Sequence, residues 1–123
     1  MAIERTLISV GLGWLILGTI FGFYIGASAN NKYLDVHVAM LLTGFLLLTV
    51  YGVLYRLWPA LKDGAVAKAQ FWIALIGSVG MVAGAIQLDA TGGANITFAV
   101  IGSSLTILAA ILMAWLFWTK AGA

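Results

Sequence analysis

A single histidine is the residue in this sequence best suited to chemistry inside an apolar segment. His37 stands near the start of the run from Asp35 to Pro59, and the chain has no second histidine and no cysteine. Read as a helix, the run places several residues on one face through spacings of three and four: His37, Leu41, Gly44, Leu48, Tyr51 and Tyr55. Gly44 then lies about two turns from His37. Because glycine has no side chain, a flat ligand held by the imidazole could rest against the backbone there.

The composition excludes most enzyme chemistry within one chain. The lack of cysteine excludes disulfides, iron–sulfur clusters and thiolate copper sites. One histidine without clustered carboxylates leaves no general acid–base machinery, so we expect no hydrolytic or nucleophilic activity. The net charge of +2 comes from basic residues beside apolar runs. Attraction to anionic lipid headgroups accounts for them, and we expect no nucleic-acid partner.

The elements that must position His37 are membrane helices. The chain has 123 residues, of which 63% are hydrophobic and 8% are charged, and its mean hydropathy is +1.11. Four apolar runs approach the ~20 residues needed to cross a bilayer: residues 7–27, 34–57, 69–88 and 95–118. Short connections force sequential helices to be antiparallel. The sequence therefore predicts an all-α, integral membrane four-helix bundle in the lipid bilayer, with residues 1–123 forming one transmembrane domain.

The distribution of basic residues predicts the orientation. Five basic residues flank the helices on one side of the predicted bundle, namely Arg5, Arg56, Lys62, Lys68 and Lys120, whereas Lys32 stands alone on the other. Because basic residues favour the cytoplasmic side, we expect both termini in the cytoplasm and His37 towards the outer face. We expect a multi-pass protein of a bacterial inner (cytoplasmic) membrane.

The end of the first apolar run resembles a signal-peptidase site. Ala27-Ser28-Ala29 follows a basic amino terminus and an apolar stretch, as in a secretory leader. The apolar stretch is too long for a typical leader core. We therefore interpret it as a permanent first helix.

Glycines form faces on two of the predicted helices. Gly18, Gly22 and Gly26 repeat at intervals of four residues in the first helix, and the third has a comparable set from Gly77 to Gly84. Such faces let another helix approach to backbone contact. The partner helix could belong to the same chain or to another copy.

Asp35 has two interpretations. Like Asn31, it can cap the start of the second helix, where free backbone donors and the helix dipole favour an anion. Alternatively, its carboxylate orients the imidazole of His37. Residues two apart point in different directions on a helix, so the second interpretation requires an irregular first turn.

The second apolar run also resembles a known family. The string from His37 to Phe45, with that from Tyr51 to Pro59, resembles the second transmembrane helix of the haem–copper oxidase subunit I superfamily, and most closely its nitric-oxide-reductase and cbb3-like branches. The resemblance covers about a fifth of the chain. In that family the histidine of this helix binds low-spin haem near the outer surface. The resemblance thus implies that His37 is a haem ligand in a relative reduced to the first four helices.

The chain also departs from that family. Many relatives have a further histidine at the position of Asp35, and the copper and high-spin haem ligands lie on later helices that this chain lacks. Reduction of oxygen or nitric oxide by this chain alone is therefore excluded.

Two hypotheses remain open, and a third is the least supported. In the first, haem b binds through His37 for electron transfer or haem handling, with the second axial ligand from another copy in a homo-oligomer or from Met40 or Met81. In the second, the chain is a cofactor-free accessory or structural subunit of a larger respiratory or photosynthetic membrane complex, packed through its glycine faces. Transport is least supported, because the carboxylates lie at helix ends and the flanking charge is one-sided.

Overall fold

The computed structural model describes residues 2–122, which form four long helices joined by short connections. The helices are α1 (Ile3–Ser28), α2 (Leu34–Leu57), α3 (Ala65–Ala90) and α4 (Thr97–Lys120). Each is long and apolar enough to cross a membrane, which confirms the all-α, four-span prediction. Only α2 matches its predicted limits. The others differ by one to four residues at each end. α1 and α3 begin four residues earlier, because the helix continues through polar residues beyond the apolar run, whereas α4 begins two residues later.

The helices pack antiparallel. Lys62 Nζ lies 3.1 Å from Glu4 Oε1, and Lys120 Nζ donates to the carbonyl of Asp63. These contacts bring the start of α1, the connection after α2 and the end of α4 to one end of the bundle, here called the terminal end. The opposite end contains His37 and is called the His37 end.

Both glycine faces are used mainly within the chain, which forms two closely packed hairpins. A Cβ added to Gly18 of α1 would lie 2.8 Å from Leu41 Cδ2 of α2. Between α3 and α4, Gly80 faces Gly102, and a Cβ on Gly84 would lie 2.5 Å from the Ala99 backbone. These helices therefore approach to backbone contact, as small residues at a membrane helix interface allow.

A buried polar network joins α2, α3 and α4 near the terminal end. The Tyr55 hydroxyl donates to Gln70 Oε1 at 2.8 Å, and Gln70 Nε2 donates to the Ala109 carbonyl at 3.3 Å. Gln70 is fully buried among apolar side chains. Hydrogen bonds offset the cost of placing an amide there.

The connection from α2 to α3 turns at the terminal end. It contains a 3₁₀ turn, Pro59–Lys62. Proline at the first position fits this turn because its fixed φ is already helical. Gly64 then adopts a φ of +98°, a conformation that favours glycine.

A π-helical segment interrupts α2 between His37 and the tyrosines. It spans Met40–Leu46, and π-helical bonding adds about one residue per turn relative to an α-helix. Gly44 faces α1, and beyond it Thr49 and Gly52 contact the same helix, whereas the Tyr55 hydroxyl donates to Gln70 of α3. The face predicted for a regular helix is therefore divided, with Tyr55 directed to α3.

Candidate functional site

His37 lies in the seam between α1 and α2. Its ring packs on the bare backbone of Gly22, where an added Cβ would lie 2.5 Å from the ring carbon Cε1. Nδ1 lies 2.8 Å from the Gly18 carbonyl oxygen. Because a carbonyl only accepts hydrogen bonds, Nδ1 carries the proton and donates. In the neutral ring Nε2 is then the nitrogen with the free lone pair.

The surface predicted for a flat ligand at Gly44 is covered by an aromatic side chain of α1. A Cβ added to Gly44 would lie 2.5 Å from Cγ of the Trp14 indole. The planar group against Gly44 is therefore the protein's own indole. The sequence contains Trp14 on the α1 stripe that also carries Gly18, but its pairing with Gly44 depends on how the two helices align.

The two candidate methionines lie in different places. Met40 packs against Gly18, with its Cβ 3.1 Å from the position of an added Cβ, so it shares the α1–α2 seam with His37. Met81 lies on α3, and its sulfur accepts a hydrogen bond from Ser103 Oγ of α4 at 3.3 Å. Within residues 2–122 the structure contains no group of three histidine, cysteine, aspartate or glutamate residues that could hold a metal ion.

Asp35 performs neither of the roles considered from the sequence. The N-cap of α2 is Tyr33, and no side chain caps this end through a hydrogen bond. The imidazole proton goes to Gly18, so Asp35 does not orient the ring. Instead Asp35 lies near Asp89, at the end of α3, so that the two acidic side chains form a pair.

Beside this carboxyl pair a groove opens between α2, α3 and α4, here called the lateral groove. It has a volume of about 330 Å³. Its lining is almost entirely apolar and includes three alanines: Asp35, Val38, Ala39, Leu42, Thr43, Met81, Ala85, Leu88, Ala99 and Ser103. Sequence reasoning missed it, since its walls come from three helices and only their packing brings the small side chains together.

Comparisons of this chain with protein families, with curated protein sequences and with solved structures find no match. The resemblance of α2 to the oxidase helix therefore stays a prediction, and so does the haem site at His37.

Proposed function

We propose that this membrane protein binds haem b through His37, with one haem held between two copies of the chain. The observation that carries the proposal is the hydrogen bond from Nδ1 to the Gly18 carbonyl, 2.8 Å long. Histidines that bind metals commonly donate their other ring N–H to a carbonyl or carboxylate, which fixes the ring and leaves Nε2 as the ligand atom. Gly18 supports His37 in this way.

A second copy is proposed because the chain has a single histidine. The backbone of Gly44 is covered by Trp14, and the sulfur of Met81 is engaged by Ser103 on another pair of helices. A two-fold dimer would supply a second imidazole from the same face of the partner. Haem held by these imidazoles would supply one-electron transfer. The chain's own contribution is to hold the imidazole by Gly18 and Gly22.

The test is the optical spectrum of detergent-purified protein loaded with haem. We expect a Soret band, a stoichiometry of one haem per two chains, and a particle with the mass of a dimer. The variant is His37→Gln, which keeps a polar side chain of similar length in the seam but is a poor haem ligand. It should retain the fold and lose the Soret band. A colourless wild-type protein, or an unchanged band in the variant, would contradict the haem proposal.

The second candidate function is that of a cofactor-free accessory subunit, and the tight fit of His37 on Gly22 favours it. A ring that packs into a glycine groove and donates to a carbonyl joins α1 to α2 without any cofactor. Most glycine-face positions are occupied within the chain, although Gly26 has open space beside it. A larger partner would then contact the exposed apolar sides of the helices. Colourless protein that copurifies with a defined membrane complex, and does so equally as His37→Gln, is the expected result.

We also propose that both termini face the cytoplasm of a bacterial cell. The chain has no cysteine, so single cysteines report orientation without background. Asp63→Cys lies at the terminal end and Asn30→Cys at the His37 end, both at exposed positions. In intact cells an impermeant thiol reagent should label Asn30→Cys alone. Labelling of Asp63→Cys alone would reverse the orientation.

A further inference from the structure

The lateral groove combines an apolar interior with a negatively charged end. We propose that it binds an amphipathic molecule with a single positive charge, such as a quaternary ammonium ion on an apolar body. The apolar body would lie between α2, α3 and α4, and the cationic head would lie at Asp35 and Asp89. This proposal is independent of haem binding, because His37 does not line the groove.

The size and lining of the groove define the body of the ligand. Its volume of about 330 Å³ is at the lower end of the range for small-molecule sites. Small side chains from two helices, Ala85 and Ala99, leave the space open. Such a groove suits a compact apolar group of the size of a substituted phenyl ring.

The polar groups of the groove restrict the head of the ligand. The Thr43 hydroxyl donates to the Ala39 carbonyl at 2.7 Å, and the Ser103 hydroxyl donates to Met81. Both hydroxyl protons are already used, so the groove offers no free hydroxyl donor to an anion or a carbonyl. The charged side chain in the lining is the carboxylate of Asp35, which favours a cation.

The carboxyl pair has no cation bonded to it. Asp35 lines the groove, and Asp89 directly follows Leu88, another lining residue. The Oδ2 atom of Asp89 is shielded from solvent and lacks a hydrogen-bond partner. The nearby Lys32 places its Nζ over the ring of Tyr33, 5.4 Å from the centroid. Among residues 2–122 the ion pair found is that of Lys62 and Glu4, at the opposite end. Asp35 has no ion pair among residues 2–122, so its carboxylate in the groove lining favours an added positive charge.

The test compares two ligands of the same shape. Phenethyltrimethylammonium and its neutral carbon isostere, 3,3-dimethylbutylbenzene, are titrated into the protein in nanodiscs of uncharged lipid, and binding is measured by calorimetry. We expect saturable binding of the cation, about fivefold tighter than that of the isostere, as for one ion pair at an exposed site. Asp35→Asn and Asp89→Asn should each remove most of this difference. Asp63→Asn, an exposed aspartate at the terminal end, is the matched control and should bind normally.

A second pair of variants tests the location. Ala85→Leu fills the groove and should abolish saturable binding, whereas Ala110→Leu, on an exposed side of α4, should not. His37→Gln should also bind normally, which separates this proposal from haem binding. Equal affinity for the cation and its isostere would mean that the groove is filled by apolar chains such as lipid, and would overturn the proposal. If Ala85→Leu does not fold, the aspartate variants still decide the outcome.

Discussion

Replacing Gly22 by alanine tests whether His37 is held in the seam between α1 and α2. The new methyl group would lie 2.5 Å from Cε1 and 2.9 Å from Nδ1 of the imidazole, well inside van der Waals contact. The ring must therefore move, and movement breaks its hydrogen bond to the Gly18 carbonyl. The variant adds one methyl group to α1, and its effect should come entirely from the displaced His37 side chain of α2.

The magnitude follows from three contributions. Overpacking at a tight contact costs about 1–3 kcal/mol, and loss of the hydrogen bond costs about 1 kcal/mol. Alanine returns up to about 1 kcal/mol of helix propensity relative to glycine. The free energy of unfolding should fall by about 1–3 kcal/mol. Gly13→Ala is the matched control, because an added Cβ there has no neighbour within 4 Å, and it should be neutral or stabilising.

The assay is reversible unfolding in mixed micelles by titration with dodecyl sulfate, followed by tryptophan fluorescence. A double-mutant cycle with His37→Ala completes the test. Without the imidazole, the alanine at Gly22 has nothing to displace, so its cost should fall to that of Gly13→Ala. If Gly22→Ala costs the same with and without His37, or costs no more than Gly13→Ala, the description of the seam is wrong.

Three further predictions concern stability measured in the same assay. Tyr55→Phe leaves the buried side-chain carbonyl of Gln70 without its donor, and the free energy of unfolding should fall by about 1–3 kcal/mol. The double variant Tyr55→Phe, Gln70→Leu should recover part of that loss, because the unpaired amide is then removed. Lys62→Met leaves Glu4, which is 8% exposed, without its cation. This variant should lower the free energy of unfolding more than the double variant Lys62→Met, Glu4→Gln does. A larger loss in the double variant would show that the pair is solvated. Gly102→Ala places a methyl group against the backbone of α3, which cannot rotate away as a side chain can. The free energy of unfolding should therefore fall by about 3 kcal/mol. An unchanged unfolding midpoint would contradict the α3–α4 packing.

Several features of the candidate site could be predicted from the sequence, and others could not. The sequence identified His37 as the one imidazole in an apolar helix, and it identified the glycine faces. It did not show that Gly18 and Gly22 would be the residues in contact with that imidazole, because small residues allow close approach without selecting a partner. Gln70 could have been noticed as an amide inside an apolar run. Its hydrogen-bond partners on two other helices could not have been identified, since they depend on how the helices pack in the bundle.

The number, class and approximate length of the helices follow from properties summed along the chain: side-chain hydropathy, and a rise of about 1.5 Å per residue against a bilayer of about 30 Å. What each helix presents to its neighbours depends on the packed bundle. The π-helical segment at Met40–Leu46 rotates the second half of α2, Trp14 covers Gly44, and the lateral groove opens where three helices meet. These outcomes depend on the rotation and register of one helix against another, which side-chain packing sets across the bundle and no single segment encodes.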